Sequence, residues 1–349
     1  MKALAYEKAH PLDAFALELV DVAEPRPRDA DLLVGVRAVG INPGETAIRR
    51  TRSAEPGGRL VLGWEFAGVV EAVGPDATGF AVGDRVMGTG DMARDGAWAE
   101  RLSVDHRVVA RIPDRLSFSD AASLPIGGLT AWEALFRDRD RHSDRHSDRD
   151  GDRDGDRDGL AAGIDRVLIV GGAGGVGTLA TQLLKSRTSA LVVSTASRPA
   201  SRAWCTRAGA DAVVDHTADV PGQLRDAGVD RVDLVLSTAG TSGNIGWIAE
   251  ILRPFGHLAA VDLNGPLDLG PLVGKSVSLH TETVFSSFMA GGDVAGQGRV
   301  LAELAADAVA GRIRPLTTTL LSGLSVDTMR TAHELAESGR TIGKTVIAM

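Results

Sequence analysis

The stretch RVLIVGGAGGVGTLATQLLKS, residues 166–186, constrains the fold more than any other part of this chain. Val167–Val170 is a continuous apolar run, the pattern of a strand buried on both faces in a parallel sheet. Gly172-Ala173-Gly174-Gly175-Val176-Gly177 follows at once and spells G-x-G-x-x-G, and a helical pattern opens directly behind it. Alone the motif is weak. Between a strand and a helix it is specific, because the glycines turn the chain tightly, let backbone N–H groups approach a ligand, and set a pyrophosphate at the positive end of the helix. Gly172, Gly174, Gly175, Val176 and Gly177 are therefore candidate cofactor-binding residues, weighed against a glycine-rich turn that binds nothing.

The surrounding chain supports a doubly wound sheet. After residue 160, strands such as ALVVSTAS, DAVVDH, DLVLSTAG, HLAAVDL and SVSLHTETV alternate with helical stretches such as SRAWCTRAG and GNIGWIAEILRPFG. Strand–helix alternation of this kind builds a parallel sheet with helices on its faces. The first ~125 residues read differently, as short Val-rich runs bounded by Gly, Pro and Asp, which are β-strands joined by turns. Ser119-Asp120 is the expected cap of a helix that leads into AWEALF. The tail mixes helices with two more strands, LTTTLLSG and KTVIAM. A chain of 349 residues accommodates two domains.

The end of the second Rossmann-type strand selects the cofactor. An NAD site places Asp or Glu there to bind the ribose 2′-OH. Here the strand ends in Ser194-Thr195-Ala196-Ser197-Arg198, with Arg202 four residues on, and no carboxylate is present. A 2′-phosphate gains charge-assisted hydrogen bonds of about 1.5–3 kcal/mol each from such groups before any discount for exposure. Ser197, Arg198 and Arg202 thus predict NADPH over NADH, against a plain solvated helix start. Thr238, at the end of DLVLSTAG, joins them as a cofactor-contacting candidate.

Rare residues and charge exclude several classes. A net charge of −8 does not favour nucleic acid or an anionic membrane. One cysteine, Cys205, rules out an intramolecular disulfide and a thiolate zinc cluster. One tyrosine, Tyr6, leaves no Tyr acid for the nucleotide-binding half. No apolar run is long enough to span a bilayer and no signal peptide is visible, so a cytoplasmic protein is expected.

Taken in order, VGINPGETAIR, GWEFAGVVEAVG, VGDRVMG, GAWAE, IPDRLSFSDAASLP, LTAWEALF, GGAGGVGTLATQLLK, TASRPASRAWC, GADAVVDH and KSVSLH resemble the medium-chain dehydrogenase/reductase superfamily. The resemblance is to its quinone oxidoreductase (zeta-crystallin-like) branch and to the zinc-type alcohol dehydrogenase-like family within it. It covers the whole chain except the charged run discussed below. It implies an α/β protein with a GroES-like β-rich catalytic domain, residues 1–127 and 287–349, and a Rossmann doubly wound parallel-sheet cofactor domain, residues 128–286. It also implies an active site in the cleft between them, and a homodimer or homotetramer joined near SVSLHTETV.

Zinc alcohol dehydrogenases hold their metal through Cys, His and Cys. By similarity the first two positions are Asn42 and Trp64 here, and no Cys lies in ASLPIGGL. Neither Asn nor Trp is a good zinc ligand, so no zinc is expected. Without that Lewis acid the expected chemistry is hydride transfer from NADPH to an acceptor already electrophilic, a quinone or an α,β-unsaturated carbonyl. Asn42 and Thr130 are the candidate catalytic residues by similarity: Asn42 near the nicotinamide and acceptor carbonyl, Thr130 near the cofactor's ribose-phosphate. The competing readings are a turn cap for Asn42 and helix packing for Thr130. His216 stands where relatives often carry a Tyr beside the adenosine phosphate, and is also read as a plain surface His. Glu65 is expected only to satisfy buried polar groups. Ala47 replaces the Tyr that quinone oxidoreductases often carry, which suggests a roomier pocket and leaves solvent as the proton source. Two other readings stay open: an enoyl-thioester or alkenal reductase in a biosynthetic pathway, and a non-enzymatic NADPH-binding protein.

RDRDRHSDRHSDRDGDRDGDRDG, residues 137–159, is the one motif that no catalytic reading absorbs. Asp154-x-Asp156-x-Asp158-Gly159 with Asp165 fits the start of a calcium loop. However, Arg flanks the acids, and a strand rather than a helix follows. A nucleic-acid arm needs excess positive charge, which is absent. The run is therefore expected to be a polar insert in a surface loop, with no apolar residues to offset ordering entropy.

Overall fold

The computed structural model describes residues 1–143, 164–262, 265–290 and 294–349. The chain divides into two compact units: Met1–Ile126 with Phe285–Met349, and Gly127–Val284.

In chain order the first unit supplies strands β1 (Lys2–Ala5), β2 (Glu18–Asp21), β3 (Asp31–Gly40), β4 (Glu65–Val73), β5 (Arg85–Thr89), β6 (Arg101–Asp105) and β7 (Val109–Arg111), with helices α1 (Pro43–Thr51) and α2 (Phe118–Ala121). Helix α3 (Pro125–Ser143) follows. The second unit holds β8 (Arg166–Val170), α4 (Gly175–Arg187), β9 (Leu191–Thr195), α5 (Pro199–Ala208), β10 (Ala212–Val214), α6 (Val220–Asp226), β11 (Val232–Ser237), α7 (Thr241–Ile251), β12 (Leu252–Ala260) and β13 (Ser278–Thr281). The chain then returns to the first unit with α8 (Ser286–Met289), α9 (Ala295–Val309), β14 (Thr317–Ser322), α10 (Val326–Glu337) and β15 (Lys344–Ala348).

The first unit is built on a seven-stranded sheet with the path β14-β15-β3-β4-β5-β7, and β6 also pairs with β3. β3 is nearly all buried because it has neighbours along both edges. β15 closes the unit by pairing antiparallel to β3, with Val346 opposite Gly40 and Ala348 opposite Ala38. Tyr6, Trp64, Phe66 and Trp98 are among the largest side chains sealed in the core.

The second unit is a six-stranded sheet in the order β10-β9-β8-β11-β12-β13, with every pair parallel. Chain order reverses between β8 and β11, and a doubly wound sheet binds ligands outside the carboxyl ends of its strands at such a reversal. Leu168, Val193, Val235, Ile248 and Leu258 fill the core between sheet and helices.

Three local readings change. The cap expected at Ser119-Asp120 is Ser117: its Oγ accepts the Asp120 N–H at 3.0 Å and its hydroxyl donates to Asp120 Oδ2 at 2.9 Å. This pair caps α2 and starts it two residues earlier than expected. α7 stops at Ile251 instead of running through Arg253-Pro254, since Pro254 cannot extend a helix. The Lys275 ammonium donates to the freed carbonyls of Ala249, Glu250 and Leu252 at the helix end. The charged run is not loop from its start, because α3 continues to Ser143. The rest of the run, with Asp154, Asp156 and Asp158, lies outside the described residues. Among the described residues, no helix is long and apolar enough to cross a membrane.

Candidate active site

The glycine turn of the second unit is shaped by distinct steric demands. Gly171 adopts a left-handed backbone, φ 78°, and donates its N–H to Thr195 Oγ1 at 3.1 Å. A Cβ on Gly172 would lie 2.6 Å from Ser194 Cβ, and one on Gly177 would lie 2.4 Å from the Gly171 carbonyl oxygen. Those two glycines serve packing. At Gly174 the nearest atom to an added Cβ is 3.5 Å away, an ordinary contact, so the protein itself does not require glycine there. Gly174 is also the N-cap of α4 and has no side chain with which to cap it. The N–H groups of Gly175, Val176 and Gly177, in the first turn, have no carbonyl one turn back to bond. They are free to serve an anion.

Thr238 braces this turn. Its hydroxyl donates to the Val170 carbonyl at 2.8 Å, and an added Cβ on Gly171 would lie 2.5 Å from its Oγ1. Arg198 is the N-cap of α5, with Pro199 behind it, and its N–H donates to Ser201 Oγ at 3.2 Å. Ser197 beside it is half-buried. Arg202 is differently committed: its guanidinium donates to the carbonyls of Ala196 at 3.2 Å and Val213 at 2.8 Å, tying the ends of β9 and β10 together. His216 is exposed. Its neighbour Asp215 is held below the usual carboxylate range by hydrogen bonds from Thr217, with smaller contributions from His216 and Arg202. Thr130 is buried within α3.

In the first unit, four polar side chains from three strand or helix ends meet in the core. Asn42, between β3 and α1, donates from Nδ2 to Glu65 Oε2 at 3.0 Å. Lys344, at the start of β15, donates from Nζ to Asn42 Oδ1 at 2.5 Å and pairs with the same Glu65 oxygen at 2.5 Å. Glu65 Oε1 accepts the Ile126 N–H at 2.9 Å. Glu45, in the first turn of α1, accepts the N–H groups of Asn42 at 2.9 Å and Trp64 at 3.0 Å. Burial pushes the Glu45 carboxyl up to about 7, against the pull of those two N–H donors, and the nearby Glu65 charge adds to the rise. Gly40 makes room for this arrangement, since an added Cβ would lie 2.4 Å from Glu65 Oε2.

So Asn42 does stand at a helix start, but its carboxamide is taken by Glu65 and Lys344. Glu65 satisfies a backbone N–H, as expected, and also anchors two side chains. Lys344 and Glu45 were missed in the sequence. Glu45 carried a signal, being three residues after an Asn that precedes a helix, the spacing of a capping box. Lys344 carried none, because it heads an apolar strand and reaches Asn42 across 302 residues.

Zinc does not fit the residues present. Of the positions compared with the zinc enzymes, Asn42 and Trp64 supply no ligand of the needed kind. Of the two carboxylates beside them, Glu65 is already paired with the Lys344 ammonium, and Glu45 accepts the backbone N–H groups of Asn42 and Trp64. No group of three or more His, Cys, Asp or Glu side chains able to hold a metal comes together among the described residues.

Residues 28–114 match the alcohol dehydrogenase GroES-like domain and residues 208–347 the zinc-binding dehydrogenase family. A zinc-type alcohol dehydrogenase-like protein of Staphylococcus aureus is 33% identical over 350 residues, covering 99% of each chain. Human quinone oxidoreductase is 30% identical over 276 residues, 76% of this chain and 75% of the human one. Among solved structures, a Rhizobium etli protein assigned to the zinc-dependent alcohol dehydrogenases is 36% identical, with a TM-score of 0.90 over 100% of this chain and 98% of its own. A mycobacterial protein solved with NADPH is 26% identical, with a TM-score of 0.79 and full coverage of both chains.

Proposed function

Because the chain belongs to the medium-chain dehydrogenase/reductase superfamily, with a GroES-like domain and a parallel-sheet cofactor domain, we propose that it is an NADPH-dependent reductase of quinones or α,β-unsaturated carbonyls that works without zinc. The observation that carries the proposal is the donor set around Asn42: a carboxamide held between an ammonium and a carboxylate, where a metal ligand would be needed for alcohol oxidation. Such a set offers hydrogen bonds and no Lewis acid. It suits an acceptor whose anion is delocalised onto a carbonyl oxygen. The zinc in the relatives' names describes those proteins.

NADPH, when bound, supplies the hydride. The first-turn N–H groups of α4 would hold its pyrophosphate, and Ser197 and Arg198 its 2′-phosphate. The NADPH in the mycobacterial neighbour supports this choice. Asn42 would donate from Nδ2 to the acceptor's oxygen as negative charge builds there, and solvent would return the proton. Thr130 would contact the cofactor and His216 the adenosine phosphate. The same reading makes the protein a cytoplasmic homodimer or homotetramer joined at β13, an edge strand with Leu279 partly exposed.

The test follows NADPH absorbance, with NADH alongside, against ortho- and para-quinones and 2-alkenals. NADPH-selective loss with quinones is the expected result, and loss with alkenals alone narrows the acceptor to enones. No turnover with any of them while NADPH still binds, or about one tightly held zinc per purified chain, would overturn the proposal.

A further inference from the structure

We propose that Lys344 is a positioning residue that sets which end of the Asn42 carboxamide faces the acceptor. The inference rests on the role given to Asn42 above and deepens it. A carboxamide has two nearly isosteric ends, one a donor and one an acceptor, so its orientation is decided by its neighbours. Here the neighbours have opposite and single-valued capacities. The Lys344 ammonium donates only, and the Glu65 carboxylate accepts only. With Oδ1 toward Lys344 and Nδ2 toward Glu65, both contacts are charge-assisted hydrogen bonds. Turned over, the amide would set N–H groups against the ammonium and a carbonyl oxygen against the carboxylate.

The clamp itself cannot follow such a turn. Glu65 is fully buried, its Oε1 is held by the Ile126 N–H, and Gly40 packs against its Oε2 side. Lys344 is buried, and its backbone is fixed in the sheet by its N–H to the Leu316 carbonyl at 2.8 Å and by the pairing of β15 with β3 and β14. Asn42 Oδ1 is therefore spent on Lys344, and Nδ2 has one hydrogen spent on Glu65. The other Nδ2 hydrogen meets no acceptor among the described residues, and it is the one the carboxamide offers. The site thus selects a substrate that presents a hydrogen-bond acceptor at this point, such as the oxygen of a quinone or enone carbonyl.

The experiment compares wild type with Lys344→Met, Lys344→Arg and the double variant Lys344→Met/Glu65→Gln. The double variant covers the case in which an unpaired buried Glu65 prevents the single one from folding. The expected result for the folded Met variant is a fall in kcat of about ten- to a hundredfold with the NADPH dissociation constant within about twofold of wild type. Arg, which restores a donor, is expected to recover part of the loss. The Asn42 side-chain amide resonances, identified by their disappearance in Asn42→Asp, should shift or broaden in both Met variants. Unchanged kcat and unmoved resonances in a folded Met variant would overturn the proposal. If wild type turns over no acceptor yet the resonances still move, the functional reading fails while the clamp stands.

Discussion

Replacing Gly174 with alanine puts a methyl group where the nearest protein atom is 3.5 Å away. The backbone there, φ −77° and ψ 175°, is open to any L-residue. Substitution at such a position removes freedom from the unfolded chain, worth about 0.4–1 kcal/mol, but Gly174 is the N-cap of α4, where alanine is disfavoured against glycine by a similar amount. These contributions offset, and the melting temperature should stay within about 2 °C of wild type. Binding should respond far more strongly. If a pyrophosphate sits on the first-turn N–H groups of α4, the methyl stands in its path, and one lost charge-assisted bond of about 1.5–3 kcal/mol weakens NADPH roughly ten- to a hundredfold. Gly177→Ala is the control. Its Cβ would lie 2.4 Å from Gly171 O and 2.8 Å from Gly172 Cα, both backbone atoms, so α4 must shift at a cost of about 1–3 kcal/mol. Calorimetric titration with NADPH and a thermal melt of each variant separate the two effects. NADPH affinity within twofold of wild type in Gly174→Ala would show that no ligand occupies the space above this glycine, and the nucleotide reading of the turn would fall.

Two further outcomes follow. Arg198→Ala should raise the KM for NADPH by about tenfold and leave that for NADH nearly unchanged; equal effects on both would remove the 2′-phosphate assignment. Glu45 is raised from 4.5 to about 7 by burial, so the folded state holds its proton more tightly than the unfolded chain does. The stability this contributes is complete below pH 4.5 and is lost as pH rises through about 7, a total on the order of 3 kcal/mol. In urea denaturation, wild type should therefore lose stability relative to Glu45→Gln between pH 4.5 and 8, and a constant difference across that range would refute the assignment.

The glycine turn was legible because its pattern is local, a strand, six residues and a helix with the spacing written in the sequence, although the Thr195 and Thr238 side chains that brace it come from other strand ends. The strand–helix alternation of the cofactor unit was legible for the same reason, but its strand order was not, since the connection from β10 to β11 passes over β9 and β8. Arg202 illustrates a limit. Its position after the second strand suggests a phosphate ligand, yet its donors reach two backbone carbonyls, one of them on a strand that the sequence gives no reason to place within reach. The Asn42 cluster illustrates a stronger one. A lysine heading an apolar strand looks like an exposed strand end, and only the antiparallel pairing of β15 with β3 turns it inward to the Glu65 carboxylate and the Asn42 carboxamide. No periodicity encodes that meeting.

The pairing of β15 with β3 also bears on how the protein is made. Gly40 leaves the ribosome long before Val346, its partner in the sheet, while every strand of the cofactor unit is synthesised in between. The cofactor unit can form during translation. The other unit must wait, with Glu45 and Glu65 facing each other without the ammonium that Lys344 brings from 302 residues downstream of Asn42. Contacts of such sequence separation close slowly. The unit that holds Asn42 is thus the last part to close, and a nascent chain whose parallel sheet has already formed still lacks the clamp on Asn42.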